Sequence, residues 1–590
     1  MGLAYTIDTP VKVARFGISS VISIVEDRLV EMMRRYYYPT INLEYQPIST
    51  HEKDYRAKRI TDYLNLVNTI VQAQVEKLRK TAFEAGSEIV KYFEMLPGDS
   101  TVKQLYGQMM KTGNRLEKDK MEASLRAQIK PGSIDVNIMT KTDRNNYNKR
   151  GELLEDASDA VAALRGYAKS NLANSSVVFS AGMNPRLFNY LEKCKEFDLN
   201  EDGGFTKKVI VKVSDYRSAF IQGKYLAKKG IWVSEFRIES GLNCGGHAFA
   251  TDGYLLGPIL EEFKSNKQEL IDTLFEIYNA ALQKKNNKKL TDPPPIIFSA
   301  QGGIGTHEED EFLRKYYQIE YTGWGTPFLL VPEATTVDEA TRKLLCAANE
   351  NDVVLSRNSP LNVGFYYLKG TSAEREKLLR ISNGKPGSPC TEKHLAFNTE
   401  FTKEPICTAS RKFQKLKIAQ LQSLHLQEPE YKKQLKDVLD KECLCVGLSN
   451  AAAINYDQVF IKNLNAVNIC PGPNIVNFSK IVSLQTMTDH IYGRKNIITN
   501  TNRPHMFIAE LNLYIDYLKK QLKEDILQPA QFSGKKKYYA SFFQNIRNGI
   551  IYYRRLPGIS GPNGDKFMSA LYYSGMELDF LNYHYEIDNM

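Results

Sequence analysis

The stretch Phe236-Arg-Ile-Glu-Ser-Gly-Leu-Asn-Cys-Gly-Gly-His247 decides the fold. Apolar and polar residues alternate from Trp232 to Ile238, which favours an extended strand over a helix. Glycines at 241, 245 and 246 then let the backbone bend or lie close to a flat ligand. His247 follows at once, so we expect its imidazole at the carboxyl end of the strand, where α/β barrels place their chemistry. A loop histidine that only caps the turn explains these residues equally well.

Segments with a similar strand-like pattern lie on both sides of this stretch, and they alternate with helical patterns. The predicted strands are one within 11–24, Ile134–Thr140, 176–185, Val209–Val213, 295–304 and 319–328. A strand, a turn and a helix repeated six or seven times indicate a parallel sheet. Glycines at the carboxyl ends of successive strands favour a closed TIM (β/α)8 barrel. An open doubly wound sheet would show a phosphate-binding glycine fingerprint at its first strand, which Arg15-Phe-Gly-Ile-Ser-Ser does not supply.

The chain of 590 residues is too long for one ordinary domain. We predict an α/β barrel domain over residues 1–380, with a helical insertion at about 53–130. Beyond a turn-rich link, residues 381–590 are predicted to form a mainly helical, cysteine-containing region that packs on the barrel.

Composition limits the function classes. Hydrophobic residues make up 42% and charged residues 25%, as in globular proteins that bury a core. The formal net charge is +10, but the longest basic run is Lys535-Lys536-Lys537, so we expect anionic small substrates and no nucleic acid. No apolar run approaches the ~20 residues that span a bilayer. Eight cysteines in such a chain do not predict a disulfide scaffold, and a cytoplasmic location is expected.

Two glycine turns could bind a phosphate. Gly302-Gly303-Ile304-Gly305 follows one predicted strand, and Gly323-Trp324-Gly325-Thr326 follows the next. Backbone amides that glycine exposes, beside a helix N-terminus, form an anion site. Barrels commonly hold phosphate with the loops after their last strands. Two such turns on consecutive late strands therefore predict a phosphorylated ligand.

These motifs resemble those of the nitronate monooxygenase family, also called the 2-nitropropane dioxygenase-like family. Gly245-Gly-His247, Ser299-Ala-Gln-Gly-Gly-Ile304 and Gly325-Thr-Pro-Phe-Leu-Leu-Val-Pro-Glu333 occur in the order and approximate spacing of that family. Asn137 is similar to the asparagine that ends an early family strand, and residues 352–364 to the stretch after the penultimate strand. The family includes enoyl reductase components of polyunsaturated fatty-acid synthases. The similarity covers about residues 130–370.

The resemblance implies a TIM barrel that binds one FMN non-covalently. Its cofactor-binding residues would be Asn137, Gly245, Gly246, Gly302, Gly303, Gly325 and Thr326. His247 would face the flavin ring and act as acid or base on the substrate carbon, since an imidazole titrates near neutral pH. The implied activity is that of an FMN-dependent oxidoreductase of the nitronate monooxygenase type. The alternative is an NAD(P)H-dependent enoyl-thioester reductase, so the substrate is a small molecule or an acyl thioester. The oligomeric state is left open.

Some residues near these motifs depart from the family or have two interpretations. Ala248 and Phe249 follow the histidine where many members have a small residue and a glycine, which predicts a reshaped substrate pocket. Trp324 is either part of the phosphate site or barrel packing. Glu239 either orients His247 or is a solvated, capping carboxylate.

Five cysteines fall between residues 390 and 470. Cys407, Cys443, Cys445 and Cys470 could hold zinc or an iron–sulfur cluster, although their spacing matches no compact ferredoxin or zinc-ribbon pattern. Buried structural cysteines are the alternative. A third function class, a non-enzymatic scaffold with a metal-stapled C-terminal region, also remains open.

Overall fold

The computed structural model describes residues 4–24, 26–139, 143–148, 150–180, 182–201, 203–285, 289–527, 529–557 and 562–587. Thr140, at the end of the predicted strand Ile134–Thr140, and Ala181, within the predicted segment 176–185, lie outside the described residues. Within them, no helix is both long and apolar enough to cross a bilayer.

Seven parallel strands form the central sheet. They are β1 (Ser20–Ile24), β2 (Ile134–Ile138), β3 (Ser175–Phe179), β4 (Lys207–Val213), β5 (Glu235–Glu239), β6 (Ile297–Gln301) and β7 (Tyr321–Gly323). Their spatial order is their order in the chain, and each pairs in parallel with the next. Right-handed crossovers in an unbroken order place all connecting helices on one face, which is the arrangement of an α/β barrel rather than of a doubly wound sheet.

Helices precede, connect and follow these strands. The first six are α1 (Thr9–Val13), α2 (Asp27–Thr40), α3 (Tyr55–Lys80), α4 (Glu88–Glu94), α5 (Thr101–Lys111) and α6 (Arg115–Gln128). The next seven are α7 (Asp159–Ala168), α8 (Pro185–Leu191), α9 (Tyr216–Lys228), α10 (Leu256–Ser265), α11 (Lys267–Lys284), α12 (His307–Tyr317) and α13 (Glu339–Ala347). The predicted insertion at 53–130 is helical, as expected. Its long helix α3 packs on α2 and α7 and contributes to the main core.

The sheet is curled, as one ion pair shows. Arg237 on β5 approaches Asp135 on β2 to 3.9 Å between guanidinium nitrogen and carboxylate oxygen. These strands are three positions apart, which in a flat sheet is about 14 Å. Two side chains of this size span that distance only if the strands bend towards each other. The concave face therefore encloses an interior, as in a barrel.

The closure differs from a complete eight-stranded barrel. Among the described residues, β1 pairs only with β2 and β7 only with β6. The next strands, β8 (Val353–Ser356) and β9 (Phe365–Leu368), pair with each other in an antiparallel sheet of their own. The chain after β7 instead reaches the N-terminal segment, where Thr336 N–H donates to the Tyr5 carbonyl at 3.0 Å. The α/β fold with a curled parallel sheet is thus observed, and the closed (β/α)8 barrel stays a prediction.

The C-terminal region is helical and lies against the sheet. It contains α14 (Ser372–Ser382), α15 (Arg411–Ser423), α16 (Glu428–Leu439), α17 (Leu444–Gly447), α18 (Asn450–Asn455), α19 (Leu484–Ile491), α20 (Met506–Asp525), α21 (Pro529–Arg554) and α22 (Pro562–His584). Buried residues from both parts of the chain share one apolar core. The boundary near residue 380 stays a prediction, since this core is continuous across it.

A buried ion pair fastens the C-terminal region to the loop after β6. Arg503 donates to both carboxylate oxygens of Glu309 at 2.7 and 2.8 Å and to the Gly303 carbonyl at 2.9 Å. The side chains of this pair are 7% and 3% exposed. Burial raises the pKa of Glu309, but Arg503 outweighs it and the pKa is lowered. The carboxylate is therefore charged and depends on Arg503 for compensation.

We predict that Arg503→Met lowers the free energy of unfolding by about 3–5 kcal/mol, because it leaves a buried carboxylate uncompensated. Lys343→Ala is the control, since Lys343 pairs with Glu339 through side chains that are 70% and 73% exposed. It is expected to change stability by less than about 0.5 kcal/mol. Urea unfolding measures both, and equal effects of the two substitutions would contradict the prediction.

Candidate active site at the carboxyl edge of the sheet

The carboxyl ends of three neighbouring strands carry a polar network. Lys212 lies near the end of β4, Glu239 ends β5 and Gln301 ends β6. The register pairs Glu239 with Gln301, so both side chains lie on the same face. Lys212 Nζ is 3.2 Å from Glu239 Oε2, and Gln301 Nε2 donates to the same oxygen at 2.7 Å. Alternation along each strand places these three groups on the concave face, opposite the apolar residues that meet the helices.

Glu239 is charged in this network. Burial raises its pKa, but Lys212 and the amide of Gln301 stabilise the carboxylate more strongly, so the pKa is lowered. Both Lys212 and Glu239 side chains remain 17% exposed. The partners found for Glu239 are thus Lys212 and Gln301, and an orienting role towards His247 stays a prediction. A half-buried ion pair at a strand edge can bind or polarise a polar substrate.

A second charged layer lies below the first on the same face. Arg237 donates to Glu235 Oε1 at 2.8 Å, and Ser299 Oγ donates to the same oxygen at 2.5 Å. Burial raises the pKa of Asp135 to about 6, although Arg237 acts in the opposite direction. Barrel interiors are usually filled by branched apolar residues. Here the concave face also carries paired charges, beside apolar residues such as Val178 and Ile210. The sequence shows the charges as Glu235, Arg237 and Glu239 at alternate positions of one strand.

His247 lies in the loop after β5 and is held by the β8–β9 hairpin. Its Nε2 is 2.7 Å from the hydroxyl of Ser359, a fully buried residue. Its ring meets Phe365 with centroids 4.9 Å apart and an angle of 62° between the planes. Its backbone forms a bridge with Phe365, and the Gly246 carbonyl accepts from Tyr366 N–H at 2.9 Å. The imidazole orientation is therefore fixed by the hairpin, a contact that the sequence did not indicate.

The first glycine turn, residues 302–305, is closely packed by other parts of the chain. A Cβ at Gly303, where φ is +79°, would lie 2.0 Å from the amide nitrogen of Asn243. At Gly302 it would lie 2.8 Å from Cys244 Sγ, and at Gly245 it would lie 2.6 Å from the Cys470 carbonyl. Gly245 is thus required for packing against the C-terminal region. Asn243 covers one side of the first turn, and its side chain borders any ligand held there.

The second turn is open. A Cβ at Gly325 would meet no atom within 4 Å, and this residue is exposed. Thr326 follows, and its hydroxyl accepts from Gly472 N–H at 3.2 Å. Trp324 donates from Nε1 to Thr322 Oγ1 at 3.1 Å and is half-buried. The indole packs edge-on against His490, with ring centroids 5.9 Å apart and an angle of 86° between the planes. Gly325 offers its backbone to solvent.

Asn137 carries a buried carbonyl oxygen without a hydrogen-bond partner among the described residues. Its amide nitrogen lies 3.5 Å from Ser23 Oγ on the neighbouring strand β1. The residue is 8% exposed and shares the concave face with Ser23. An orphaned buried acceptor costs about 1–3 kcal/mol unless a donor satisfies it. This oxygen is therefore a candidate ligand contact.

These features allow a test of the fit to FMN. The open glycine at 325 and the orphaned oxygen of Asn137 fit a phosphorylated ligand that also carries N–H donors. Asn137, Gly325 and Thr326 would hold it, whereas Gly302 and Gly303 pack against Cys244 and Asn243 of the chain itself. Gly245 and Gly246 instead lie among contacts with Cys470 and the β8–β9 hairpin.

The predicted metal ligands are not gathered as expected. Among the described residues, no three of the sulfurs of Cys407, Cys443, Cys445 and Cys470 lie within 4.8 Å of one another. Cys407, Cys445 and Cys470 are buried, and Cys443 is partly buried. A metal site at these cysteines stays a prediction.

Glu510 is a site residue that sequence reasoning missed. It lies on α20, and its carboxyl accepts from the hydroxyl of Ser240 and from Leu256 N–H at 2.8 Å. Ser240 directly follows β5, and its hydroxyl also accepts from Asn243 N–H at 3.1 Å. Burial raises the pKa of Glu510 to about 7. The C-terminal region therefore sets the geometry of the loop between β5 and His247.

A second charged group at the sheet edge was also missed. Glu26, just beyond β1, contacts His394, and ligand atoms of Glu26, Glu392 and His394 lie within 4.8 Å of one another. Burial lowers the pKa of His394, but Glu26 and Asp159 outweigh it and raise the pKa to about 9. Arg28 pairs with Glu392 at 3.3 Å. His394 and the two carboxylates are buried, whereas Arg28 is 52% exposed. Their contacts join the C-terminal link to the end of β1.

Comparisons with known proteins leave the family open. No protein-family profile and no curated protein match the sequence. Among solved structures, one similar chain is the enoyl reductase domain of MlnA from the macrolactin biosynthesis cluster of Bacillus amyloliquefaciens, with a TM-score of 0.32 and 14% sequence identity. The match covers 70% of this chain and 90% of that chain. A likeness of this size carries no argument about fold or function.

We predict that Glu510→Gln removes a pH dependence of stability. The folded-state pKa of Glu510 is about 7, above its unfolded value, so its contribution is fully present below about pH 4.3 and is lost as the pH rises through 7. Between pH 5 and 8, the free energy of unfolding of wild type should fall by on the order of 2–3 kcal/mol more than that of the variant. Urea unfolding at both pH values measures this, with the exposed Glu350→Gln as control. Parallel pH profiles for Glu510→Gln and wild type would refute it.

We also predict that the two glycine turns differ in how well they tolerate an added side chain. Gly303→Ala should lower the free energy of unfolding by about 1–3 kcal/mol, because it strains a positive φ and displaces Asn243. Gly325→Ala should change it by less than about 0.5 kcal/mol, because φ is −113° and the space is open. Thermal and urea unfolding compare the two variants. A larger loss of unfolding free energy in Gly325→Ala than in Gly303→Ala would contradict this prediction.

Proposed function

We propose that the chain is a flavin-dependent oxidoreductase that works at the carboxyl edge of its parallel sheet. The observation that carries this proposal is the buried, unpartnered carbonyl oxygen of Asn137 on the concave face. An acceptor in that position suits the N–H edge of a planar heterocycle. The open backbone at Gly325 suits a phosphate on the same edge of the sheet.

Each group of the chain would have a defined task. Asn137 would accept a hydrogen bond from the ring, and the backbone at Gly325 and Thr326 would hold the phosphate. Lys212 and Glu239 would present paired charges to the substrate at the mouth of the interior. Bound FMN supplies transfer of hydride or electrons, which no side chain of the chain provides.

His247 would take or give the proton that accompanies this transfer. Ser359 and Phe365 fix its ring, so its position does not depend on loop motion. The leading reaction is oxidation of a nitronate by oxygen, with the proton exchanged at the carbon next to the nitro group. The alternative is reduction of an enoyl thioester by NAD(P)H, with protonation of the carbon alpha to the thioester. The family motifs support both equally, and the substrate distinguishes them.

The proposal is tested by titrating purified protein with FMN and following quenching of flavin fluorescence. We expect saturable binding of one FMN per chain. Asn137→Leu and Gly325→Val should each weaken binding at least tenfold, because one removes an acceptor and the other fills the phosphate cradle. Gly98→Val is the matched control, since Gly98 is also open and exposed but lies in the helical insertion. No FMN uptake by wild type would end the proposal.

The substitution His247→Gln distinguishes a loss of catalysis from a loss of FMN binding. We expect FMN binding within twofold of wild type and a loss of turnover of at least a hundredfold, in line with removal of a general acid or base. Turnover is measured with a nitronate and oxygen, and with an enoyl thioester and NADPH. Full activity of the variant on the substrate that wild type uses would remove His247 from the mechanism.

A further inference from the structure

The last helix, α22, is apolar on two opposite faces. One face belongs to the main apolar core beside α20 and α21, and it consists of Phe567, Leu571, Leu578 and Leu581. The other face points to solvent with exposures between 46% and 85%, and it consists of Met568, Tyr572, Tyr573, Met576, Phe580 and Tyr583. We call these six exposed residues the α22 stripe.

Helical geometry separates the two faces cleanly. At about 100° per residue, Met576 lies nine residues and half a turn around the helix from the buried Phe567. The whole α22 stripe falls within about 140° of the circumference on that side. A surface helix normally carries one apolar face, and a helix that is apolar on both sides is normally buried on both. The pattern of α22 therefore indicates that a second surface covers the α22 stripe.

The α22 stripe is large enough for a specific protein interface. With about 200 Å² for a fully exposed large side chain, its exposed fractions amount to roughly 750 Å² of accessible surface. The largest apolar patch on a typical monomeric protein covers about 300–600 Å². Two such stripes in contact would bury about 1,500 Å² in total, which is the standard size of a stable protein–protein interface.

The α22 stripe is also complementary to itself. Tyr572 and Phe580 lie four residues on either side of Met576, and Met568 and Tyr583 lie eight and seven residues away. A two-fold axis at Met576 between antiparallel helices therefore places Tyr572 of one copy beside Phe580 of the other. It likewise places Met568 beside Tyr583. An interface with two-fold symmetry requires such a self-complementary patch, and antiparallel helices also align their dipoles favourably.

The acidic residues beside the α22 stripe are neutralised within the chain. Asp579 pairs with Arg547 at 2.9 Å, and Glu577 pairs with Lys519. Two copies can therefore approach without bringing uncompensated carboxylates together, and these pairs form a polar rim. A helix that binds a lipid surface is instead rich in lysine and arginine, whereas residues 562–584 contain Lys566 as their single lysine or arginine. The charges thus favour a second copy over a membrane.

We propose that the protein is a two-fold dimer in which the α22 stripes of two copies pack antiparallel against each other. An open groove of about 690 Å³ runs beside the stripe, between Asp516 on α20 and Tyr573, Met576 and Phe580 on α22. This groove receives aromatic side chains of the other copy, as pockets at the centre of stable interfaces do. The dimer does not depend on the proposed chemistry, because the residues assigned to FMN lie outside α22.

The test is size-exclusion chromatography of the full chain with light scattering, over a range of protein concentrations. We expect the mass of two chains at about 10 μM, as an interface of this size supports. The double variant Tyr573→Glu and Phe580→Glu should weaken dimerisation at least a hundredfold, because it places charges at the centre of the interface. Leu116→Glu is the matched control, since Leu116 is 75% exposed on α6. It should leave the dimer intact.

Disulfide cross-linking covers the case in which the glutamate variant fails to fold. Under mild oxidation with copper phenanthroline, Met576→Cys should form a covalent dimer, whereas wild type and Leu116→Cys should not. A monomeric wild type at about 50 μM would overturn the proposal. So would a dimer that the glutamate pair leaves intact, or one that Met576→Cys does not cross-link. Binding of monomeric wild type to vesicles of phosphatidylcholine and phosphatidylglycerol would assign the α22 stripe to lipid and overturn it as well.

Discussion

The interior of the sheet buries charges that must be paired, and the rest of the structure depends on that pairing. Arg237 reaches two carboxylates, Glu235 on its own strand and Asp135 three strands away. The second contact exists only when the sheet curls. Parallel pairing of β4, β5 and β6 brings their carboxyl ends to one edge, where Lys212, Glu239 and Gln301 meet. Removing one partner of such a pair destabilises the fold by more than the intact pair stabilises it, because the other charge is left buried and unpaired.

Residues of the C-terminal region contact the loops at this edge of the sheet and hold them in position. Glu510 binds the residue that follows β5, and Arg503 neutralises the carboxylate that caps α12. The Cys470 carbonyl packs against Gly245, next to the candidate catalytic histidine. The positions of the strand-end loops are therefore set by residues more than 150 positions away along the chain. Without this region the sheet would lack the contacts that shape its carboxyl edge.

Much of the sheet was predictable, because alternation and apolar runs are local signals. The stretch at 236–247 identified β5 and its loop. Asn137 came from the family resemblance and Gly325 from its glycine turn, and the roles of both stay predictions. The missed residues have non-local partners. Ser359 reaches His247 from a hairpin that the barrel pattern did not include. Glu510 reads as an ordinary helix residue until its burial is known.

The contacts between distant parts of the chain also govern when the protein can reach its native state. Tyr5 donates to the Asn468 carbonyl across 463 positions, and Ser240 to Glu510 across 270. A ribosome adds roughly 5–20 residues per second, so the loop after β5 waits on the order of 10 s or more for its partner helix. During that interval buried charges and strand ends are exposed. The nascent chain therefore needs protection from association until its last quarter has emerged.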